Sequence, residues 1–466
     1  MTTNPSEFTA SEAASLLATG SASSVELTEF YLSRIDRIDS SLRSVLALSA
    51  SALADAAASD ARRSADGLLS PYDGIPILIK DNIEAIGLPG TAGSLVLASS
   101  PVLADSPLVV RLRAAGLVVL GATNLSEWAN FRSTGSTSGW SAVGGQTVNP
   151  FDLKRNPSGS SSGSGAAIGA GLAPWAVGTE TDGSIVSPAG HCGVVGFKPT
   201  VGTVPGEGIV PLSPVQDTAG PMTRTVADAA ALWGLLAGVA VSMPDDSSLA
   251  GVPVTVWRPD GLPDSLDAVL SLVAALLAGA GAAVREAPEL PKPSGPFSDA
   301  EFEALVGEFA LALPAYLAQR PGPHPRTWPE LLAFNRASSV ELSMFGDEVF
   351  ALAASADQAQ AASARQLCSA DSERDLAAIL GDSAFAVTVT NAPAQLITYN
   401  PGDHAGVSTS SLCAVTGAPS ITLPGMLVDG LPIGISLLAR DNQDQALLGW
   451  AAAVEKLLPD MVYPEL

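Results

Sequence analysis

Cysteine, histidine and positive charge are all scarce in this sequence, and each scarcity narrows what the chain can be. Its 466 residues hold three cysteines, Cys192, Cys368 and Cys413. An odd, widely spaced set argues against a disulfide framework and points to a reducing, cytoplasmic compartment. The three histidines, His191, His324 and His404, lie far apart without metal-ligand spacing, so no metal site and no cofactor is expected. Lys and Arg number 23 against 47 Asp and Glu, a formal net charge of -24. Nucleic-acid affinity comes largely from cations that neutralise phosphates, and anionic membrane surfaces attract cations for the same reason. Neither is an expected partner, and the acidity reads as a well-solvated surface. Membrane-length apolar runs are missing too. The uncharged run Ala268 to Val284 falls short of a span and contains Gly279-Ala280-Gly281, so it reads as a helix, a turn and the start of a strand. The opening residues Met1 to Phe8 are neither basic nor apolar, which gives no expectation of a signal peptide.

Apolar residues are plentiful at 47% of the chain, enough for a large core. Two capping-box patterns open the sequence, Thr9 with Glu12 and Ser23 with Glu26, each predicting a helix start. After the second, Leu27, Phe30, Tyr31, Ile35 and Ile38 recur at helical spacing, and an Ala-rich helix follows that stops near Gly67. The pattern then changes to short β-branched runs: Ile75 to Ile79, Leu117 to Leu120, Val254 to Trp257, Ala386 to Val389, Ser420 to Leu423 and Ile433 to Leu438. Helical stretches such as Thr225 to Leu236 separate most of them, while Pro199 to Pro214 is rich in turn residues. Strands alternating with helices predict a single α/β domain with a large mixed sheet covered by helices on both faces. The N-terminal helices occupy 1–70, a first part of the core 71–250 and a C-terminal part 381–466. From about 296 to 380 no strand signal remains, and this stretch reads as a helical insertion beside the sheet.

The most unusual segment is Pro157-Ser158-Gly159-Ser160-Ser161-Ser162-Gly163-Ser164-Gly165. A flexible linker is one reading, but the apolar, helix-compatible Ala166 to Leu172 that follows argues for a loop feeding a packed element. A phosphate loop would end in Gly-Lys-Ser/Thr, and no lysine stands there. Gly159 to Gly163 matches a nucleophile elbow centred on Ser161, which would need one of the three histidines as its base. A Ser-x-x-Lys enzyme is excluded, because none of the lysines at 80, 154, 198, 292 and 456 has a serine three positions before it.

Three pieces taken together support another reading. Gly74-Ile75-Pro76-Ile77-Leu78-Ile79-Lys80-Asp81-Asn82 puts a lysine at the end of an apolar strand. Gly159 to Ser164 is the serine loop. Gly178-Thr179-Glu180-Thr181-Asp182-Gly183-Ser184-Ile185 follows a short strand, with Ser184 24 positions after Ser160. This ordered set resembles the amidase signature family. Gly193 to Thr200, Gln216 to Met222 and Gly430 to Ile435 are also similar to it, so the likeness covers most of the chain and is weakest from about 250 to 380. Asn124 to Arg132, Ser138-Gly139-Trp140-Ser141, Gly144 to Thr147 and Glu180 to Ser184 resemble most the bacterial peptide amidases of that family.

The resemblance implies a hydrolase of linear amides with Ser184 as nucleophile, Ser160 as a relay entered by a cis peptide bond, and Lys80 as base. A free lysine is charged near neutral pH, with a pKa of about 10.4, and desolvation at the end of an apolar strand would favour its neutral amine. The resemblance also implies an oxyanion hole from the backbone N–H groups of Thr181, Asp182, Gly183 and Ser184, and substrate-side contacts at Thr134, Ser136 and Ser138. His191 and Cys192 read as structural. Asp182 stands where the family more often has glycine. A carboxylate aimed into an oxyanion site would repel the developing charge, so its side chain is expected to point away, capping local N–H groups or holding the loop; the opposing expectation is contact with a substrate N–H. The expected substrate is a short peptide amide or amino-acid amide, converted to acid and ammonia by a monomer or homodimer. The alternatives are a broad aliphatic or aryl acylamidase and the amidase component of a tRNA-dependent amidotransferase complex.

Overall fold

Both N-terminal capping boxes form in the computed structural model, which describes residues 8–243, 248–290, 297–399, 402–403 and 406–466. Thr9 Oγ1 accepts the Glu12 N–H at the start of α1 (Ala10–Thr19), and Ser23 Oγ accepts the Glu26 N–H at the start of α2 (Ser24–Leu42). Each Glu side chain returns a bond to its cap's own N–H. Leu27, Tyr31, Ile35 and Ile38 of α2 are buried and Phe30 is partly so; each fully buried aliphatic side chain contributes about 1.5–3 kcal/mol. The Ala-rich helix is α3 (Ala52–Ser64).

The chain then builds an 11-stranded mixed sheet. In chain order its strands are β1 (Val45–Leu48), β2 (Pro76–Lys80), β3 (Val118–Thr123), β6 (Trp175–Glu180), β7 (Val195–Lys198), β8 (Thr218–Thr223), β9 (Pro253–Val256), β10 (Ala283–Glu286), β11 (Phe385–Val389), β12 (Ser420–Val428) and β13 (Leu431–Leu438). β4 (Trp140–Ser141) and β5 (Gly145–Gln146) form a separate small ribbon. The order across the sheet is β1-β3-β2-β6-β8-β7-β12-β13-β11-β9-β10. β2 runs parallel to both β3 and β6, whereas β8 runs antiparallel to β6, with Thr218 opposite Glu180.

Side chains alternate across β2, β3 and β6. Ile77, Ile79, Val119, Trp175 and Val177 enter one core with Leu108 of α4 (Pro107–Ala114), Val226 and Leu232 of α7 (Val226–Ala237), and Leu447 of α14 (Asp444–Glu455). Leu78, Val118, Leu120 and Ala176 enter the opposite core with Tyr31, with Ala167 and Ile168 of α5 (Ser162–Gly169), and with Ala189 of α6 (Val186–Cys192). Helices thus cover both faces.

The run Ala268 to Val284 divides as its glycines suggest, into α8 (Asp264–Gly279), a turn and β10. Three strands of the large sheet lay outside the sequence expectations, β1, β7 and β8, as did both strands of the small ribbon. β8 contains Gly220 and Pro221, residues that usually demote a strand. Its ladder with β7 covers only Thr223 and Met222, so Pro221 is not asked to donate on that side. Among the described residues from 297 to 380 there are four helices and no strand: α9 (Phe297–Gln319), α10 (Trp328–Ala337), α11 (Glu348–Ala354) and α12 (Gln358–Leu380). Phe309, Leu313 and Leu317 of α9 pack on Trp128, Phe131 and Leu212. Leu376, Ile379 and Leu380 of α12 pack on Ala386 and Leu438 of the sheet and on Leu412 of α13 (Ser411–Thr416). No helix among the described residues is long and apolar enough to cross a membrane.

Candidate active site

The parallel run of β2, β3 and β6 brings their carboxyl ends to one edge, where open α/β sheets usually hold their ligands. Lys80 is the last residue of β2 and fully buried. Its Nζ lies 2.9 Å from Ser160 Oγ, 2.8 Å from Thr179 Oγ1 and 3.2 Å from the Thr179 carbonyl oxygen. Burial pulls its pKa down to about 7, and the charges of Glu180 and Asp217 only partly oppose this.

Ser160 sits after a cis Gly159–Ser160 peptide. A Cβ on Gly159 would come within 2.2 Å of Ser126 Oγ, so the loop needs glycine there. Ser161, Ser162 and Ser164 are each committed to the backbone. Ser161 Oγ donates to the Thr179 carbonyl (3.0 Å) and accepts the Thr179 N–H (3.2 Å). Ser162 Oγ donates to the Ser158 carbonyl and Ser164 Oγ to that of Val177. The elbow reading of Ser161 therefore loses its hydroxyl to β6, and the described histidines are engaged elsewhere. His191 Nε2 pairs with the Ala392 carbonyl, and His324 with Ser100 Oγ and the Leu317 carbonyl. His404 lies outside the described residues.

The loop after β6 carries Ser184. The Ser184 carbonyl accepts the Ser161 N–H at 3.1 Å, which ties the two serine segments together one residue from Ser160. Glu180 Oε2 accepts the N–H groups of Ile185 (2.7 Å) and Val186 (3.0 Å), satisfying donors that a helix start leaves unpaired. Gly183 has φ 76, and a Cβ there would meet Ser410 Oγ and Ser187 Oγ at about 3 Å. Thr181 Oγ1 donates to Asp217 (2.6 Å), and Gln216 Nε2 donates to both the Thr181 carbonyl (3.1 Å) and Glu301 Oε1 (2.9 Å). Asp182 Oδ2 accepts the hydroxyl of Ser411, on α13, at 2.7 Å; the carboxylate thus anchors the loop through a side-chain hydroxyl. Burial raises the Asp182 pKa. Glu301, on α9, is pushed up to about 8 by burial and by the Asp182 carboxylate.

A cavity of about 550 Å³ reaches this end of the sheet. Asn82, Ser160, Thr179 and Thr181 form its polar end; Val204, Ile209, Val210 and Leu212, with Ala312, Ala315 and Tyr316 of α9, supply much of the rest. The three substrate-side candidates do not gather there. Ser138 is buried against the serine loop, accepting the Asn130 Nδ2 hydrogen at 2.8 Å. Ser136 Oγ donates to the Ser133 carbonyl of its own turn, and Thr134 is exposed. His191 and Cys192 are buried in the core; burial lowers the His191 pKa to about 4 and raises that of the Cys192 thiol. Among the described residues no group of His, Cys, Asp and Glu could hold a metal ion.

A family model described as Amidase matches residues 26–448. The chain belongs to the amidase family. Relatives within this family share nearly its whole length. A glutamyl-tRNA(Gln) amidotransferase subunit of Salinispora tropica is 33% identical, covering 100% of each chain. The native peptide amidase of Stenotrophomonas maltophilia superposes with a TM-score of 0.91 at 38% identity, over 98% of each chain. An amidase family protein of Bacillus anthracis str. Ames superposes with a TM-score of 0.86 at 28% identity, over 99% of this chain and 92% of that one. The amidase-signature fold and amide hydrolysis are therefore this protein's own.

Several groups of this amidase site had no role in the sequence expectations. Asn82, Thr179 and Glu180 stand inside the quoted motifs, where a polar residue at a strand end reads as turn chemistry. Glu301 carried no signal, since a glutamate in an amphipathic helix is ordinarily solvated.

Proposed function

We propose that this amidase hydrolyses C-terminal amides of peptides or amino-acid amides to the free acid and ammonia, with Ser184 as nucleophile, Ser160 as relay and Lys80 as base. The observation that carries this reading is the buried Lys80 Nζ, 2.9 Å from Ser160 Oγ, with a pKa drawn down to about 7. A neutral amine has two N–H donors and one lone pair. The Thr179 carbonyl can only accept and Thr179 Oγ1 takes the second N–H, so the lone pair is left for the Ser160 hydroxyl. Ser184 Oγ attacks the amide carbon and passes its proton to Ser160, which passes its own to Lys80. The oxyanion is received by backbone N–H groups of Thr181, Asp182, Gly183 and Ser184. Collapse breaks the C–N bond as the proton returns through Ser160 to the nitrogen, and ammonia leaves. Water activated by the same pair then attacks the acyl carbon, releasing the acid and restoring the Ser184 hydroxyl.

The TM-score of 0.91 to a peptide amidase favours a peptide amide over other linear amides. The full-length similarity to a component of an amidotransferase supports a second reading, in which the chain works only inside a complex; its net charge of -24 disfavours direct contact with tRNA. Ammonia release from a panel of peptide amides, aliphatic amides, anilides and esters by the purified chain tests both. Turnover of a peptide amide by the chain alone is expected. Ser184→Ala and Lys80→Ala should each abolish it with the fold intact by circular dichroism. Undiminished activity in either variant would falsify the triad.

A further inference from the structure

We propose that Asn82 is a specificity-determining residue of this site: its Oδ1 accepts an N–H of the leaving nitrogen, so the enzyme favours a leaving group that carries at least one N–H. This rests on the triad reading above.

Asn82 follows Lys80 by two residues and is only 4% exposed. Its backbone is fixed: its carbonyl accepts the Val210 N–H at 2.8 Å, and Ile83 pairs with Ile209. One arm of the carboxamide is also fixed, since Nδ2 donates to Thr179 Oγ1 at 2.9 Å, the same oxygen that Lys80 Nζ reaches at 2.8 Å. The other arm, Oδ1, is buried and meets no hydrogen-bond donor among the described residues. Buried acceptors of this kind are rare and call for an explanation. Asn82 and Ser160 line the same cavity, so the uncommitted acceptor belongs to a residue of the wall that also holds the relay hydroxyl.

The chemistry calls for such an acceptor. When the tetrahedral intermediate collapses, the nitrogen must turn its lone pair toward the Ser160 O–H to take a proton. Its remaining N–H bonds then face the walls. Thr179 Oγ1 already receives hydrogens from Lys80 and Asn82, and the Thr179 carbonyl takes Lys80 and Ser161. Among the described residues lining the cavity, Asn82 Oδ1 and Glu180 Oε1 are both left without a donor, and Asn82 is the one that shares Thr179 Oγ1 with Lys80. An N–H held by it fixes the rotation about the C–N bond that aims the lone pair at Ser160. An ester oxygen or a dialkylated nitrogen offers nothing to it.

The test uses the full chain and one N-acylated amino acid presented as its primary amide, N-methylamide, N,N-dimethylamide and methyl ester. kcat/KM reports acylation. In the unsubstituted enzyme the first two amides should turn over and the dimethylamide should be at least about tenfold poorer than the N-methylamide, one buried hydrogen bond being worth about that factor. Asn82→Ala and the volume-conserving Asn82→Leu should each lower the primary-amide to ester ratio of kcat/KM by about tenfold or more, with the pH midpoint of ester hydrolysis unmoved. Equal losses on amide and ester, or a shifted pH midpoint accounting for the loss, would overturn the assignment and leave Asn82 a positioning residue for Thr179 and Lys80. If the unsubstituted enzyme cleaves neither amide nor ester, or Ser184→Ala keeps full activity, the triad reading itself falls and takes this inference with it.

Discussion

Asp182 is held by Ser411: the hydroxyl at the start of α13 donates to Asp182 Oδ2 at 2.7 Å, tying the loop that carries Ser184 to a helix more than two hundred residues further along the chain. An anchor of this kind acts on every substrate alike, because it sets where the loop sits and touches no acyl group. Asp182→Asn is therefore expected to lower kcat/KM by a common factor of about tenfold, a hydrogen bond to a charged group being worth about 1.5–3 kcal/mol. Ser411→Ala should reproduce the uniformity. Steady-state kinetics on three amides of different acyl size decide the matter. A loss that varies with the substrate would mean that Asp182 contacts it.

The pH profile should be bell-shaped. As the proposed base Lys80 must be neutral, and with its pKa lowered to about 7 activity should rise through that value. Glu301 is raised to about 8, so above it a second carboxylate ionises against Asp182 and strains the loop that Gln216 links to Glu301. Activity should fall there. Glu301→Gln is expected to remove the alkaline limb and leave the acid limb in place; a limb that persists near pH 8 would show that another group controls it. Stability responds with opposite signs. The lowered Lys80 leaves the unfolded chain binding more protons between about 7 and its ordinary 10.5, so its contribution grows with pH in that window. The raised Glu301 binds more protons when folded between 4.5 and about 8, so its contribution shrinks as pH rises there.

Glu180 holds the loop that carries Ser184, the proposed nucleophile. Its Oε2 takes the Ile185 and Val186 N–H groups, and the residue is only 1% exposed. Glu180→Ala leaves two buried donors unpaired and should cost about 2–4 kcal/mol, taking about 1–3 for each orphaned group with partial relaxation. Glu180→Gln keeps one carbonyl acceptor and should cost less than half as much. Denaturant midpoints of the two variants give the comparison, and equal losses would argue against the capping role.

These relationships differ in how visible they are in sequence. The strand ending in Lys80 was legible because Ile75 to Ile79 is short, apolar and β-branched, and burial then fixes the lysine's chemistry. The serine loop was legible as a packed element from the apolar run behind it, though its composition did not say which hydroxyl stays free; only the pairing of Ser161 and Ser164 with β6 does. β8 stayed hidden because Gly220 and Pro221 break the alternation, and a β7 ladder that stops short of Pro221 cannot be read locally. Glu301 stayed hidden because its partners Gln216 and Asp182 are far away in sequence, and ordinary helix periodicity does not record such a meeting. The positions Thr134 and Ser136 looked like Ser138, yet only Ser138 turns toward Gly159.

The loop between β3 and the small β4–β5 ribbon rests on a buried ion cluster. Arg132 is fully buried, with Nη1 2.9 Å from Glu127 Oε2 and 3.0 Å from Glu341 Oε2. Its guanidinium lies over the rings of Trp140 and Phe345, 5.5 and 5.0 Å from their centroids. Burial and the neighbouring Glu341 carboxylate hold the Glu127 pKa well above the ordinary range. Trp128, Ala129 and Asn130 all have positive φ beside it, a conformation that persists only where the surroundings enforce it, and Ala129 lines the cavity at Ser160. Removing the cation leaves two carboxyl groups buried without it. Arg132→Met keeps the side-chain length and should destabilise the protein by about 3–5 kcal/mol, the usual cost of breaking a buried pair from one side. Glu341→Gln, which leaves Arg132 with Glu127, should cost distinctly less. Chemical denaturation near neutral pH measures both, and a loss below about 1 kcal/mol for Arg132→Met, the range of an exposed pair, would show that the cluster does not hold the cavity wall.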